Sequence, residues 1–482
     1  MNIGNSIKLE LDQYDSIIVL CSKNNDLSLD NEETRKALDY ALPRVNDDKN
    51  KKISNYINVP VMTGDKAVTY IFGFYDKEEL ETSFDVQNYF GSLVGHIKKE
   101  RPNKVALCLG ELETKVYLES LVQGLLLGDY SFDKYKSEAV ERTIELDLIS
   151  KEVLELEDYI QVAKSVCLSR NLVNEQANQK TPKMLAEKVV HVFENTNVKV
   201  TLFNKKEIED MNMTAYLTVA RGSSNEPVMM VMEYKGNPDS DELLGLVGKG
   251  LTFDTGGYSL KPTASMLHMK SDMGGAAAVI GAMRALTKTN AKANVTAVVA
   301  ACDNMLSADA YLPGDIVTSK SGKTIEIMNT DAEGRLTLAD AMTVIINDYK
   351  VDKVIDIATL TGAAVAAFGE IVAPYIATDD VLAEAINISG VKCGEKVWRM
   401  PIDPQIKKLN KSEIADIKNT GGKFCGMMTA GLFVGEFNEG IPWLHLDIAG
   451  TSFTTAKLPI CTKGGTGFGA RLLYYGILEL NK

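Results

Sequence analysis

Between Leu243 and Arg335 the chain concentrates its glycines and its charges together, and this stretch constrains the fold more than any other. It opens with the apolar run Leu243-Leu244-Gly245-Leu246-Val247, which has the length and composition of a buried strand. Gly248-Lys249-Gly250-Leu251-Thr252-Phe253-Asp254-Thr255-Gly256-Gly257 follows. The pattern predicts a strand that ends in a glycine-rich turn and delivers side chains to a sheet edge. Lys261 comes next, then Asp272-Met273-Gly274-Gly275, then Asn329-Thr330-Asp331-Ala332-Glu333-Gly334-Arg335. The carboxylates Asp254, Asp272, Asp331 and Glu333 and the cations Lys249, Lys261 and Arg335 all fall at predicted strand ends or loop-to-helix junctions, not on solvated helix faces.

Charge says what such a set requires. Four carboxylates that converge without a counter-ion cannot all stay ionised, because like charges at close range drive proton uptake. Two divalent ions would neutralise them. Oxygen-rich ligands suit Mg2+, Mn2+ or Zn2+, and two ions about 3.5–4 Å apart can clamp the attacking and leaving oxygens of a hydrolysis. Asp331 and Glu333, two apart on a segment expected to be extended, would point the same way. Taken singly, these features have plainer readings. A glycine-rich turn after a strand also opens many nucleotide sites, and a lone carboxylate beside a turn is ordinarily a cap or a solvated loop residue.

The run VGKGLTFDTGG, followed by SLKP, SDMGGAAA and NTDAEGRLTLADAM, resembles the two-metal leucyl aminopeptidase family. Weaker similarity extends from Ser169-Arg170-Asn171-Leu172-Val173-Asn174 to Gly467-Phe468-Gly469, roughly the last two thirds of the chain, in keeping with one large catalytic domain. The resemblance implies metal ligands at Lys249, Asp254, Asp272, Asp331 and Glu333, holding two divalent ions per subunit: Zn2+ or Mn2+, with Mg2+ and Co2+ as further candidates. Lys249 could ligate only as the free amine, so its proton affinity would have to fall. The resemblance further implies that Lys261 polarises the scissile carbonyl and stabilises the oxyanion. Arg335 would hold a bicarbonate acting as base toward a metal-bridging water. Met269, Thr359, Leu360, Gly362 and Ala449 would line the substrate site, which would take a peptide with a free N-terminus, leucine or another apolar residue preferred. The α-amine would be read by a metal and by an acid such as Asp272. A homo-hexamer with sites facing a shared interior is also implied.

Two positions depart from the family pattern. Leu306 stands where a proline is expected after Asp303, and Ser452 where a larger apolar residue is common. Neither is a predicted ligand, so they bear on substrate preference, not on reaction type.

The rest of the chain reads as α/β in two domains, a smaller N-terminal one over 1–150 and a larger catalytic one over 169–482 with a central mixed sheet flanked by helices, joined by a linker helix over 151–168. In the first, strands are expected at Ser16–Cys21, Val68–Phe72 and Lys104–Leu109, and helices at Asn31–Leu42, Lys77–Lys99 and Glu113–Leu127. No catalytic constellation is visible there; its position in the family implies a role in subunit contacts or access, and the plainer reading is a folding partner. Apolar spacing from Lys151 to Val173 predicts one bridging helix. Thr181-Pro182 predicts a capped helix start. Further strands are expected at Lys199–Phe203, Pro227–Glu233, Val295–Cys302 and Lys353–Leu360, and helices at Gly274–Thr287 and Gly334–Tyr349. Lys320-Ser321-Gly322-Lys323-Thr324 invites a phosphate-loop reading, but the earlier glycine that loop requires would fall at Val317, so a β-hairpin is expected.

Only four histidines occur, His96, His191, His268 and His445, and none forms a HExxH pair. His268 could sit behind the site and His445 is expected to support the core. Seven scattered cysteines without CxxC spacing predict reduced buried thiols and a cytoplasmic protein, as does the absence of a leader-like start or a membrane-length apolar run. A formal net charge of −13 opposes a large nucleic-acid footprint. Two alternatives stay open: a DNA-binding regulatory protein on the aminopeptidase fold, and either another two-metal hydrolase or a binding protein that kept the fold and lost activity.

Overall fold

The computed structural model describes residues 1–22, 26–46, 55–63, 65–138 and 142–482. The chain divides into two compact units, Met1–Lys164 with Leu458–Thr462, and Ser165–Lys457 with Lys463–Lys482.

The first unit is built on six strands: β1 Asn2–Ser6, β2 Ser16–Ser22, β3 Tyr56–Thr63, β4 Lys66–Tyr75, β5 Lys104–Cys108 and β6 Glu145–Ile149. They order as β1-β6-β5-β2-β4-β3, parallel throughout except for the β3–β4 hairpin. β2 is buried along its whole length, as a central parallel strand should be. Helices Glu32–Asn46, Ser83–Glu100 and Lys115–Asp129 stand where apolar spacing predicts them. Thr82 closes a capping box with Asp85 at the start of the second, which is why helix begins there and the preceding Lys77–Glu79 forms only a 3-10 turn. β1, β3 and β6 escape sequence prediction because they are edge or near-edge strands with mixed polar composition.

The bridging helix begins at Glu157, not Lys151, and runs to Asn174. The six residues before it are not helical, so the stretch 151–168 is not a helix of its own. The helix Pro182–Phe193 starts as expected, with the Thr181 hydroxyl accepting from Met184 N at 3.3 Å.

The second unit holds β7 Val198–Phe203, β8 Val228–Lys235, β9 Leu244–Asp254, β10 Asn294–Asn304, the short β11 Ile316–Thr318 and β12 Thr324–Glu326, β13 Lys353–Ala358, β14 Ala373–Ala377, β15 Val397–Arg399, β16 Ile417–Lys418 and β17 Trp443–Asp447. Eight of them form a mixed sheet in the order β15-β14-β17-β13-β9-β10-β8-β7. Its centre, β17-β13-β9-β10, is parallel. β11 and β12 pair antiparallel across Ser319–Lys323, the hairpin expected in place of a phosphate loop. Helices Gly274–Lys288 and Gly334–Asn347 are buried almost throughout.

One local prediction is overturned here. β9 does not give way to a glycine-rich turn at Lys249, where the strand is expected to end; it continues through Gly248-Lys249-Gly250 to Asp254. These glycines serve close packing: a Cβ on Gly248 would stand 2.8 Å from the Ala276 Cα of the helix laid across the strand. Lys249 is therefore a mid-strand residue, 3% exposed. Among the described residues, no helix is long and apolar enough to cross a membrane.

Candidate active site

The carboxyl ends of the four central parallel strands meet at one place, where open α/β sheets characteristically bind ligands. Asp254 ends β9, Asn304 ends β10, Asp447 ends β17, and Thr359 follows β13 directly. Asp272 arrives on the 3-10 turn Met269–Ser271 and precedes the helix Gly274–Lys288. Asp331 and Glu333 arrive on the approach to the helix Gly334–Asn347. Both helices begin at the cluster, so the positive ends of their dipoles face its negative charge.

Asp254, Asp272 and Glu333, all buried, each offer an oxygen, and these oxygens lie within 4.8 Å of one another. Lys249 Nζ reaches Asp272 Oδ1 and Glu333 Oε1, each at 2.9 Å, and donates to the Thr359 carbonyl at 2.8 Å. Gly334 makes room for it: a Cβ there would stand 2.2 Å from Lys249 Cε. Lys261 Nζ joins Asp254 Oδ2 at 2.8 Å to Asp331 Oδ1 at 2.5 Å. Thus the five predicted ligands and Lys261 converge in one network, with Asp331 brought in through Lys261. Asp331 and Glu333 do so from a turn, not from the extended segment expected: Ala332 N donates to Asn329 O, and Glu333 is already in helical conformation.

The electrostatics are those of crowded like charge. Burial pushes the Asp254 carboxyl well above the usual carboxylate range, and the charges of Glu333 and Asp272 push the same way. Burial likewise raises Asp272 to about 6, and burial with the charge of Glu333 raises Asp331. Glu333 goes down, because Lys249 and Lys261 outweigh its burial. Burial would strip protons from the two lysines, but the surrounding carboxylates more than offset it and hold both as ammonium. Asp272 Oδ2 and Glu333 Oε2 are buried without a hydrogen-bond partner. Orphaned carboxylate oxygens inside a cluster too negative to stay fully ionised fit the donor set of a hard or borderline divalent cation.

Arg335 lies 7% exposed in the first turn of its helix. Its Nη1 donates to Asn419 O at 2.6 Å, and its buried Nε has no partner. Burial lowers its pKa to about 10, against the supporting charges of Glu333, Asp447 and Asp331.

The predicted substrate-site residues divide. Thr359 is bound into the cluster, its hydroxyl donating to Asp272 Oδ1 at 2.8 Å. Leu360 and Ala449 gather around Asp447, whose Oδ1 accepts both of their N–H groups at 3.1 Å. The Thr361 hydroxyl donates to Asp447 Oδ2 at 2.6 Å, and Gly362 opens the next helix, exposed. Met269 is half-buried on the turn before Asp272.

The residues that hold the predicted ligands in place carry no sequence signal. Asn304 Nδ2 donates to Asp254 Oδ1 at 2.7 Å and to Thr330 O at 3.0 Å. Tyr311 Oη donates to the same Thr330 carbonyl at 2.8 Å. Asn419 Nδ2 donates to Asn329 O at 2.7 Å and Ala332 O at 3.2 Å, so it braces the loop carrying Asp331 from far along the chain. Nothing in local spacing marks such partners. Of the two departures, Leu306 is 46% exposed and Ser452 is buried beside Gly274, whose missing Cβ would stand 2.9 Å from the Ser452 Cβ. His268 lies against Phe453, ring centroids 5.3 Å apart, and His445 is a core residue paired to Asp356.

Residues 167–474 match the catalytic domain of the cytosol aminopeptidase family. The chain belongs to this family. A probable cytosol aminopeptidase of Clostridium perfringens is 46% identical over 86% of this chain and 87% of its own. Its counterpart in Fusobacterium nucleatum is 39% identical over 97% of both. Among solved structures, a mutant of tomato leucine aminopeptidase superposes with a TM-score of 0.85 at 32% identity, covering 99% of this chain and 96% of that one. The bottromycin maturation enzyme BotP in complex with Mn gives the same TM-score at 26% identity, covering 97% and 100%. Family membership makes the chain a metal-dependent aminopeptidase, a hydrolase acting at the N-termini of peptides.

Proposed function

We propose that this aminopeptidase removes leucine and other bulky apolar residues from peptides, with two divalent ions held by Lys249, Asp254, Asp272, Asp331 and Glu333. The observation that carries the reading is the buried convergence of Asp254, Asp272 and Glu333, with the unpartnered oxygens of Asp272 and Glu333. The ions, when bound, supply Lewis acidity toward the scissile carbonyl and an activated water. Zn2+ or Mn2+ suits the set best, with Mg2+ or Co2+ next. The Lys249 ammonium now balances Asp272 and Glu333; to become a ligand it must give up a proton from Nζ.

Lys261 keeps its charge. Set between Asp254 and Asp331, it is placed to stabilise an oxyanion as it develops. The unpartnered Arg335 Nε is available to a bicarbonate, which would receive the proton of the attacking water. Asp272 would read the substrate α-amine, which accounts for a free N-terminus being required. Met269, Thr359, Leu360, Gly362 and Ala449 would line the side-chain pocket. We further propose a cytoplasmic homo-hexamer in which the 1–150 domain serves subunit contact or access, ahead of a 151–168 connector and a 169–482 catalytic domain. No observation at the site favours a DNA-binding role, and the net charge of −13 opposes one.

The test is release of p-nitroaniline from leucine-p-nitroanilide by metal-stripped protein refilled with Zn2+, Mn2+ or Co2+, beside Lys261→Ala and Asp254→Ala. Metal-restored activity that is lost in both variants is expected. Silence with every metal on a panel of N-terminal residues would overturn the proposal.

A further inference from the structure

A fully buried lysine stands outside the site. Lys180 is 0% exposed and, among the described residues, has no carboxylate within ion-pair reach. Its Nζ donates to three backbone carbonyls: Leu172 O at 2.8 Å, Val173 O at 3.5 Å and Lys270 O at 2.7 Å. Burying a cation without an ion-pair partner is costly: burial lowers its pKa to about 7, with the charges of Lys270 and Lys188 acting the same way and that of Glu175 opposing them. A feature this expensive needs a compensating function.

Its surroundings supply one. Leu172 and Val173 lie in the last turn of the helix Glu157–Asn174, where carbonyls have no partner within the helix and the dipole is negative. Lys270 lies on the Met269–Ser271 turn, two residues before Asp272. The tie is reciprocal, since Lys270 Nζ donates to Asn174 O at 2.9 Å. Two lysines therefore cross-link one helix end to one turn. Within the turn itself, Asp272 N donates to Met269 O at 3.3 Å, and Ser271 donates to His268 O through its N at 2.9 Å and its Oγ at 2.7 Å; the lysines add the ties that anchor the turn to the helix end.

We propose that Lys180 is a positioning residue of the aminopeptidase: together with Lys270 it pins the turn that presents Asp272 to the metals and Met269 to the substrate side chain. The inference rests on the reading of those two residues given above. It separates Lys180 from a mere helix cap, because a cap would affect stability alone.

The experiment uses the full chain, stripped and titrated with Mn2+, in the variants Lys180→Met, Lys270→Met and the double. Mn2+ affinity is read by competition with a fluorescent chelator. kcat and KM are measured on leucine- and alanine-p-nitroanilide, with melting recorded in parallel. Each single variant is expected to weaken Mn2+ binding about tenfold, the range for partners that orient a metal ligand. The leucine-to-alanine ratio of kcat/KM should fall about fivefold, a modest loss for a displaced apolar pocket. The double should cost little more than either single, because both lysines serve one tie. Variants that melt lower yet keep wild-type Mn2+ affinity and the wild-type ratio would overturn the inference. If Lys180→Met does not fold, Lys270→Met decides, since it removes only the bond to Asn174. Asp272→Asn and Met269→Ala separate the two levels. If these leave metal affinity and preference unchanged, the site reading fails; if they change them while the lysine variants do not, the positioning role alone fails.

Discussion

The two units bury different things. Among the described residues of the first unit no Asp, Glu, Lys or Arg is buried, and its core is Ile17, Val19, Tyr70, Phe72, Phe90 and their apolar neighbours. The second unit buries Arg170, Lys180, Lys249, Asp254, Asp272, Asp303, Glu333, Arg335, Asp340, Asp356, Asp447 and more. Each such charge costs desolvation that only a partner, a hydrogen-bond network or a bound ion can offset. A chain that confines this cost to one unit has put its chemistry there and its plain packing in the other.

That contrast breaks most visibly at the cluster. Asp254→Ala and Lys261→Ala each remove a charge from a network in which every member offsets another, and kcat/KM for leucine-p-nitroanilide should fall about a thousandfold or more. Circular dichroism should show the fold intact. The opposite behaviour belongs to Phe90→Ala in the first unit. Phe90 is 0% exposed, so a cavity should cost about 3–5 kcal/mol in denaturant unfolding while kcat stays at the wild-type value. A drop in kcat with no loss of stability would erase the division between the units. Metal removal comes third: chelation should abolish turnover and lower the melting midpoint, with a stability loss of about 2.7 kcal/mol for each ion held at a hundred times its dissociation constant. Refilling should restore both.

How much of this could be read beforehand follows the same division. Buried central strands such as Ser16–Ser22 and Leu244–Asp254 announce themselves as apolar runs, and Thr181-Pro182 marks a helix start by its own chemistry. Edge strands such as Asn2–Ser6 do not, because half their surface is polar. The residues proposed as ligands were legible because glycine and carboxylate fall together in a few short runs. Their supports were not. Asn304, Asn419 and Asp447 act through backbone groups separated from them by many residues, and no local pattern encodes that meeting. Lys249, expected at the end of its strand, lies mid-strand: glycine signals both a turn and a close approach, and only the helix packed over β9 tells which.

The smallest effect probes a buried charge that does no chemistry in the proposed reaction. His445 Nδ1 meets Asp356 Oδ1 at 2.6 Å, and Trp443 Nε1 donates to Asp356 Oδ2 at 2.7 Å, all inside the sheet. Burial alone would lower the His445 pKa; the Asp356 charge outweighs it, so the imidazole is held above its ordinary value. The sign follows from which state keeps the proton. Below about pH 6.5 both folded and unfolded chains carry it, and the pair contributes fully. As pH rises from there through the folded-state pKa, the unfolded chain has released a proton that the folded chain still holds, so stability falls until His445 itself is neutral. Denaturant midpoints taken across this window should decline more steeply for the wild type than for His445→Gln, with leucine-p-nitroanilide turnover followed separately at each pH. Equal slopes would mean that the pair keeps one protonation state throughout, and the sheet of the second unit would then carry a silent charge pair.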